Sequence, residues 1–158
     1  MEAGLAQLRQ GLAAWRASGA GLYEPYFLGL QAEAHDRAGR AREACDLLTE
    51  ALARADESKE GWFKAELHRL KGKALISLSA RKQPEAESCF RRAIDFARQR
   101  NARSWELRAV TSLARLWRDR GKRSDARDLL APVYGWFTEG FETKDLKEAK
   151  LLLGELAA

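Results

Sequence analysis

The side chains in this sequence that could do chemistry are mainly cations. The chain has 158 residues, with 28 lysines and arginines against 23 aspartates and glutamates. Residues 80–127 hold 14 basic and 6 acidic side chains, whereas residues 1–79 are balanced and residues 128–158 are acidic. Arginine binds carboxylates and phosphates through paired hydrogen bonds, so a basic face attracts acidic peptides, nucleotides or nucleic acids. A solvated helix face without a ligand would have the same composition.

Catalytic chemistry would need nucleophiles, acids or metal ligands at set spacings, and the sequence has none. It lacks a phosphate-binding Gly-Lys-Ser/Thr loop, a Gly-x-Gly-x-x-Gly turn and a His-Glu-x-x-His pair. Each of His35 and His68 falls where helices should pack, and we expect His35 to be hydrogen-bonded there. Cys45 and Cys89 stand alone and should be packed, reduced thiols. We therefore expect no catalytic residues, no metal site, no cofactor and no enzymatic activity.

A pattern of small, bulky and small residues returns about every 40 positions. Successive copies begin at positions 44, 86 and 126, and each has a bulky residue four positions after its first member and a third close-contact residue three beyond that. A self-similar period of this length is typical of helical repeat arrays. The three copies are Ala44, Leu48 and Ala51; Ala86, Phe90 and Ala93; and Ala126, Leu130 and Val133.

Apolar residues spaced three and four apart predict eight helices, and no strand-like alternation is present. Glycines at 39 and 121 should end helices, Gln83 and Ser124 should cap them, and Pro132 should kink the seventh. The aromatic residues between 134 and 141 are expected in the core. The predicted helices span about 2–18, where the segment 19–21 stops the first, then 25–38, 41–56, 60–79, 84–100, 102–120, a seventh after Ser124, and 143–157.

The triplets, together with Ala32, Gly72 and Ala114 at the eighth position of the preceding helices, resemble the tetratricopeptide (TPR) repeat. The period is longer than that of the usual TPR repeat, and the closing proline is missing after Ala51 and Ala93. The resemblance implies an all-α, right-handed α-solenoid of about three TPR-like helix pairs with an extra helix at each end. The implied single domain divides into a leading helix 1–21, repeats 22–58, 59–101 and 102–141, and a C-terminal capping helix 142–158.

Longer segments resemble one group of TPR proteins more closely. ELHRLKGKAL, the segment from ESCFRRAIDFARQR to RLWRDRG, and LLAPVYGWFTEGFETKDLKEAKLLL are similar to the C-terminal TPR region of bacterial predicted ATPases, large regulators related to adenylate cyclases or transcriptional activators. In that group the catalytic and DNA-binding parts lie in other segments. The resemblance thus implies a non-catalytic interaction or regulatory scaffold, the TPR part of a larger bacterial signalling regulator.

In TPR proteins the first helix of each pair lines a concave groove. The resemblance implies such a groove here, lined by residues whose charge changes from mixed to basic along the array. An acidic peptide or protein segment is the ligand that such a groove would attract. Two alternatives stay open: a small-molecule sensor domain of a fused ATPase regulator, and nucleic-acid binding through residues 80–127. Trp105 and Trp117 lie on the apolar stripe, which leaves few aromatics to stack on bases. The groove residues are Tyr26, Glu33, Arg37, Arg69, Lys73, Arg108, Arg115 and Arg118.

The beginning of the chain has two consequences. MEAGLAQLRQ lacks the features of a signal peptide, and no charge-free apolar run is long enough to span a membrane, so we expect a cytoplasmic protein without membrane contact. The first helix is similar to the second half of a repeat without its first half. Its apolar stripe, Leu5, Leu8, Leu12 and Trp15, should therefore either self-associate as a homo-oligomer or lie against a neighbouring array.

Overall fold

The computed structural model describes residues 2–19, 22–59 and 61–157, and within these ranges the chain is all-α, with eight α-helices and no β-strand. A 3-10 turn at Ala80–Lys82 joins the fourth helix to the fifth. None of the described helices is long and apolar enough to cross a membrane. The helices are α1 Glu2–Ala17, α2 Glu24–Arg37, α3 Ala41–Glu57, α4 Lys64–Leu78, α5 Gln83–Gln99, α6 Arg103–Asp119, α7 Arg123–Gly135 and α8 Lys144–Ala157.

Helices that follow one another in the chain pack together, from α1 on α2 through to α7 on α8. The even-numbered helices also contact each other in order, α2 with α4, α4 with α6 and α6 with α8. Within the described residues the odd-numbered helices make no such contacts among themselves. The even-numbered helices therefore form a continuous row, with α3, α5 and α7 between successive members along the chain.

The repeated triplets form the centre of the packing, as predicted. Their bulky members Leu48, Phe90 and Leu130 are at most 1% exposed, and the alanines beside them are fully buried. Val133 alone is only half-buried. A methyl group on Gly72 would lie 2.5 Å from a ring carbon of Phe90, so α4 and α5 approach too closely for a larger residue there. Burying such a ring stabilises the fold by about 1.5–3 kcal/mol.

Several predicted helix starts were wrong. Helix α4 begins at Lys64 and not near residue 60. Residue 60 lies outside the described residues. Trp62, which was expected within this helix, precedes it and is 41% exposed. Gln83 is the first residue of α5, not its cap, and its Oε1 accepts a hydrogen bond from Arg120 Nε at 2.9 Å. Ser124 lies inside α7, and the side chain of the residue before that helix makes no capping hydrogen bond. Packing across the repeat overrides these local signals.

The predicted helix ends agree better with the structure than the predicted helix starts do. Gly39 and Gly121 have φ angles of 77° and 76°, the left-handed conformation that glycine adopts without steric cost. After Gly121, the N–H of Lys122 donates to the carbonyl of Trp117 at 2.8 Å, which closes α6. Ala20 and Gly21, part of the predicted stop of the first helix, lie outside the described residues. Helix α7 continues past Pro132 to Gly135.

The aromatic residues from the end of α7 to position 141 belong only in part to the core that their composition predicted, since Tyr134 and Phe137 pack against it. Trp136 and Phe141 are 56% and 43% exposed, while Tyr134 and Phe137 are half-buried. The guanidinium of Arg103 lies 5.2 Å from the centre of the Trp136 ring. A cation over the ring face stabilises a solvent-facing tryptophan, so Trp136 makes a surface contact instead of filling the interior.

Replacing Ala86 with leucine should destabilise the protein by about 1–3 kcal/mol, because the added carbons have no space between α4 and α5. Ser88, two residues further on and exposed, is the matched control, and Ser88→Leu should change stability by less than about 0.5 kcal/mol. Urea denaturation of the two variants measures the difference. Equal unfolding midpoints would show that the triplet does not set the packing.

Candidate functional site

The row of even-numbered helices encloses a polar cavity of about 230 Å³. Six basic and three acidic side chains line it together with two hydroxyls. We call this cavity the groove. Its lining residues are Glu33 and Arg37 from α2, Arg69 and Lys73 from α4, Arg108, Thr111, Ser112 and Arg115 from α6, and Lys144, Asp145 and Glu148 from α8.

Six of the eight residues predicted for the groove line this one cavity: Glu33, Arg37, Arg69, Lys73, Arg108 and Arg115. Tyr26 does not line it; its ring is half-buried against Trp62 and Phe63, with centroids 5.7 and 5.0 Å away. Arg118 lines a neighbouring cavity and pairs with Glu155. These two positions differ because the bulky ring of Tyr26 packs between helices and Arg118 lies at the far end of α6.

A buried carboxylate underlies the groove. Glu66 accepts two hydrogen bonds from Arg69, at 2.8 Å from Nε and 2.6 Å from Nη2, and its Oε1 lies 2.9 Å from Arg108 Nη2. Glu66 and Arg69 are 4% and 7% exposed. Burial opposes the charge of Arg69, but the hydrogen bonds and charge of Glu66 outweigh it and raise the Arg69 pKa. Arg69 is thus held in place and is not free to rearrange around a ligand.

Lys73 has no such partner. It is half-buried in the groove, and no described carboxylate forms an ion pair with it. Burial lowers its pKa and the nearby charge of Arg69 lowers it further, while the carboxylates of Glu33 and Asp36 offset only part of this effect. Two cations brought together in a partly desolvated space repel each other, and a bound anion would relieve that repulsion. Lys73 is therefore the strongest candidate in the groove for contact with an anionic ligand.

Two further arginines at the groove make ion pairs that water can reach. Arg115 Nη2 lies 2.8 Å from Glu148 Oε2, and this arginine holds the Glu148 pKa below its ordinary value. Arg37 Nη2 lies 2.8 Å from Glu33 Oε1, one helical turn away on α2. Exposed pairs of this kind contribute at most about 1 kcal/mol, so either arginine can exchange its partner for a ligand carboxylate.

Thr111 adds a polar atom beside these charges. It is 4% exposed and lines the groove, and its Oγ1 has no hydrogen-bond partner. The neighbouring Ser112 hydroxyl donates to the carbonyl of Arg108 at 2.9 Å and is satisfied within its helix. An unpaired buried hydroxyl has a free-energy cost, which a small local shift toward a ligand oxygen would remove.

Sequence reasoning missed the contribution of α8, which supplies Lys144, Asp145 and Glu148 to the groove. The prediction treated this helix only as a cap. The spacing offered a signal, because Glu148 lies 40 residues beyond Arg108, the same interval that separates the triplet at 126 from the one at 86. Helix α8 therefore occupies the next position in the row of even-numbered helices, and the groove extends onto it.

A second cavity, of about 570 Å³, lies among α3, α4 and α5. His68 lines it, stacks on Phe96 with ring centroids 5.4 Å apart, and is 8% exposed. Burial, with the charges of Arg92, Lys64 and Lys71, lowers the His68 pKa to about 4, so the imidazole is neutral at pH 7. This confirms the expected packing role and gives His68 a measurable titration.

The other candidate reactive groups are also packed. His35 is 6% exposed, but its Nδ1 has no hydrogen-bond partner, contrary to the expected hydrogen-bonded histidine. Cys45 and Cys89 are free and half-buried, and burial raises the pKa of both thiols, which disfavours the reactive thiolate. Among the described residues, no group of three or more histidine, cysteine or acidic side chains is arranged to hold a metal ion.

No protein-family model matches the chain, and no curated protein matches it. The groove's own geometry and charge are therefore the basis for a functional proposal.

Removing the Glu66 charge should destabilise the protein strongly. Glu66→Gln leaves the buried guanidinium of Arg69 without a counter-charge, which typically costs about 3–5 kcal/mol. Glu148→Gln, which disrupts the exposed pair with Arg115, is the control and should cost no more than about 1 kcal/mol. Chemical denaturation at pH 7 measures both. Similar losses in the two variants would contradict the proposed buried pair.

Acidification should destabilise the protein through His68. The unfolded chain protonates this histidine near pH 6.5 and the folded chain only near pH 4, so lowering the pH between these values favours unfolding. The expected loss is about 2–3 kcal/mol, at about 1.4 kcal/mol per unit of pKa difference. His68→Gln should lack this component, which denaturation curves at pH 6.5 and pH 4 will measure. Parallel pH profiles for the two proteins would contradict the prediction.

Proposed function

We propose that this chain is a TPR-like α-solenoid module that binds an acidic segment of a partner protein in the groove. The observation that carries the proposal is Lys73, a half-buried cation without an ion pair to any described residue, placed beside Arg69. Arg37 and Arg115 lie on either side with exchangeable partners. A carboxylate entering the groove would find one unpaired ammonium and two guanidinium groups able to pair bidentately.

The alternating helix contacts support the solenoid part of the proposal. In a stack of helix pairs each unit contacts only its neighbours, and one helix of every pair lies along a common surface. The row of α2, α4, α6 and α8 fits that description, as does the burial of the three triplets at the contacts between paired helices. The right-handed sense and the repeat boundaries remain inferences from the sequence resemblance.

The groove suits an extended peptide better than a small organic ligand. Pockets for such ligands usually measure about 300–1,000 Å³ and are mostly apolar. The groove is smaller, at about 230 Å³, and its lining is almost wholly charged or hydroxylic. Charged side chains from the four even-numbered helices offer a track along which several acidic residues could bind. These features favour a peptide over the sensor-domain alternative.

Nucleic-acid binding through residues 80–127 fits the structure less well, because Arg98, Arg103 and Arg108 of this zone pair with the buried carboxylates of Glu106 and Glu66. Polyanion binding depends on cations that can face phosphates freely. The tryptophans 105 and 117 are only half-buried, yet both carry an arginine over the ring, which leaves less ring surface for a base. The paired arginines of this zone include Arg91, Arg98, Arg103, Arg108, Arg115, Arg118 and Arg120.

The cellular context rests on the sequence resemblance alone. We propose a non-enzymatic, cofactor-independent scaffold in the cytoplasm that works as the TPR part of a larger bacterial signalling regulator. Helical arrays act by presenting surface to other molecules, which agrees with a role in holding a partner and not in transforming a substrate.

The double variant Lys73→Met, Arg115→Met should bind an acidic peptide at least about tenfold more weakly than the unmodified protein. The probe is a fluorescent peptide of about twelve residues in which glutamates alternate with serines, and anisotropy measures its binding. Binding to the unmodified protein should weaken as salt increases. The methionines keep the apolar stems while removing both charges.

Lys71→Met, Arg92→Met is the charge-matched control, since both residues line the second cavity and lie outside the groove. This control should bind the peptide as the unmodified protein does, and a peptide with glutamine in place of glutamate should not bind. If both double variants lose affinity equally, net charge and not the groove explains binding. If the peptide does not bind at low salt, the proposed function is wrong.

A further inference from the structure

The first helix carries an unoccupied copy of the repeated packing surface. Gly4, Leu8 and Gly11 have the spacing of Ala86, Phe90 and Ala93, with a bulky residue four positions after the first small one and a second small residue three beyond that. In α5 the triplet is buried, whereas in α1 both glycines are exposed and Leu8 is only half-buried. Methyl groups on the two glycines would contact nothing.

The α1 triplet opens into an apolar cavity. Helix α1 packs on α2, with Leu5 and Leu12 buried, and its triplet faces a different direction. The cavity measures about 340 Å³, and Trp15 and Phe27 close its far side. Its lining residues are Gly4, Gln7, Leu8, Gly11, Leu12, Trp15 and Phe27. We call this surface the α1 seat.

The interior repeats show what occupies such a surface. The preceding even-numbered helix lies on it, with a small residue at the point of closest approach, as Gly72 of α4 lies on Phe90 of α5. The equivalent small residues are Ala32 in α2 and Ala114 in α6, both fully buried. An occupant of the α1 seat should therefore be a helix of the even-numbered type with a small residue in this register.

Helix α8 at the opposite end has that register and lacks a partner on this side among the described helices. Gly154 follows Ala114 at the same spacing at which Gly72 follows Ala32, and a methyl group on it would meet nothing. Leu151, one turn earlier, is 67% exposed. Leu151 occupies the position of Gly29 in α2, where an added methyl group would touch Leu67 of α4 and Phe63, the residue before that helix.

We propose that α8 of one copy docks in the α1 seat of a second copy, so that the protein assembles head to tail. Gly154 would approach Leu8 as Gly72 approaches Phe90, and Leu151 would meet Phe27, the α2 residue that lines the seat. The exposed Lys147 and Lys150 on α8 pack their apolar stems while their ammonium groups stay in water. Two different surfaces thus complement each other without a change in either fold.

The symmetry of this interface determines how the assembly grows with protein concentration. A head-to-tail contact uses unlike surfaces, so each docked copy leaves a free α1 seat at one end and a free α8 at the other. Assembly therefore grows with protein concentration and does not stop at a dimer. The proposal concerns surfaces outside the groove and is independent of the acidic ligand.

Two variants, Leu8→Asp in the seat and Gly154→Leu in α8, test the proposal by sedimentation velocity. The unmodified protein should show an average mass that rises with concentration up to about 1 mM, and each variant alone should be monomeric. An equimolar mixture should form a dimer that does not grow, because intact α8 of the Leu8 variant can dock in the intact seat of the Gly154 variant. Gln10→Asp, at an exposed position of α1, should assemble like the unmodified protein.

Circular dichroism and thermal unfolding establish that each variant is folded before the mass is measured. If the Gly154→Leu protein still dimerises while Leu8→Asp does not, the interface joins two α1 helices and head-to-tail docking is wrong. An unmodified protein that stays monomeric throughout the range also overturns the proposal. The proposal is also wrong if the equimolar mixture of the two variants remains monomeric.

Discussion

The close approach of paired helices is the constraint on which the rest of the structure depends. Phe90 leaves no space for a side chain at Gly72, and the fully buried alanines Ala32 and Ala114 occupy the corresponding positions in the other repeats. Bulky residues at these positions would separate the helices and weaken many dispersion contacts at once. Because each odd-numbered helix is held close to its partner, successive even-numbered helices also come into contact and form one row.

That row determines the chemistry of the groove, since it brings charged residues that are far apart in the chain to one cavity. The resulting positive charge would be unfavourable without Glu66, which interacts with both Arg69 and Arg108 from a buried position. One carboxylate thus fixes two arginines, whereas Lys73 forms no ion pair with a described residue and interacts with Glu33 and Asp36 only at longer range. The groove therefore combines two arginines held by Glu66 with two arginines in water-accessible ion pairs, the arrangement from which we propose an anionic ligand.

The sequence predicted the helices and the buried triplets well, because both follow from periodic spacing that tertiary packing reinforces. The sequence was a poorer guide to exposure and to helix caps, because a residue's environment there depends on a helix distant in the chain. Trp62 and Trp136 are large and apolar, yet they are 41% and 56% exposed; Trp62 lies before α4 and Trp136 lies after α7, outside the helices. Caps were wrong for a related reason: Gln83 hydrogen-bonds Arg120 of the next repeat instead of capping its own helix. The repeat register alone brings together six residues that line one cavity in the structure. Pairing between helices cannot be read from spacing, so the double role of Glu66 required the structure.

The row of even-numbered helices connects the groove with the α1 seat and with α8. The groove uses charged side chains, whereas the α1 seat and α8 use apolar ones. A second copy docked through α8 and the α1 seat would place its own α2 next in the row, so Glu33 and Arg37 of that copy would follow Glu148 of the first. The polar track would then continue across the interface, while apolar contacts between Gly154 and Leu8 would hold it together. Salt should weaken ligand binding along such a track and leave the apolar contact largely unaffected, because screening acts on exposed charges and burial of apolar surface does not depend on them.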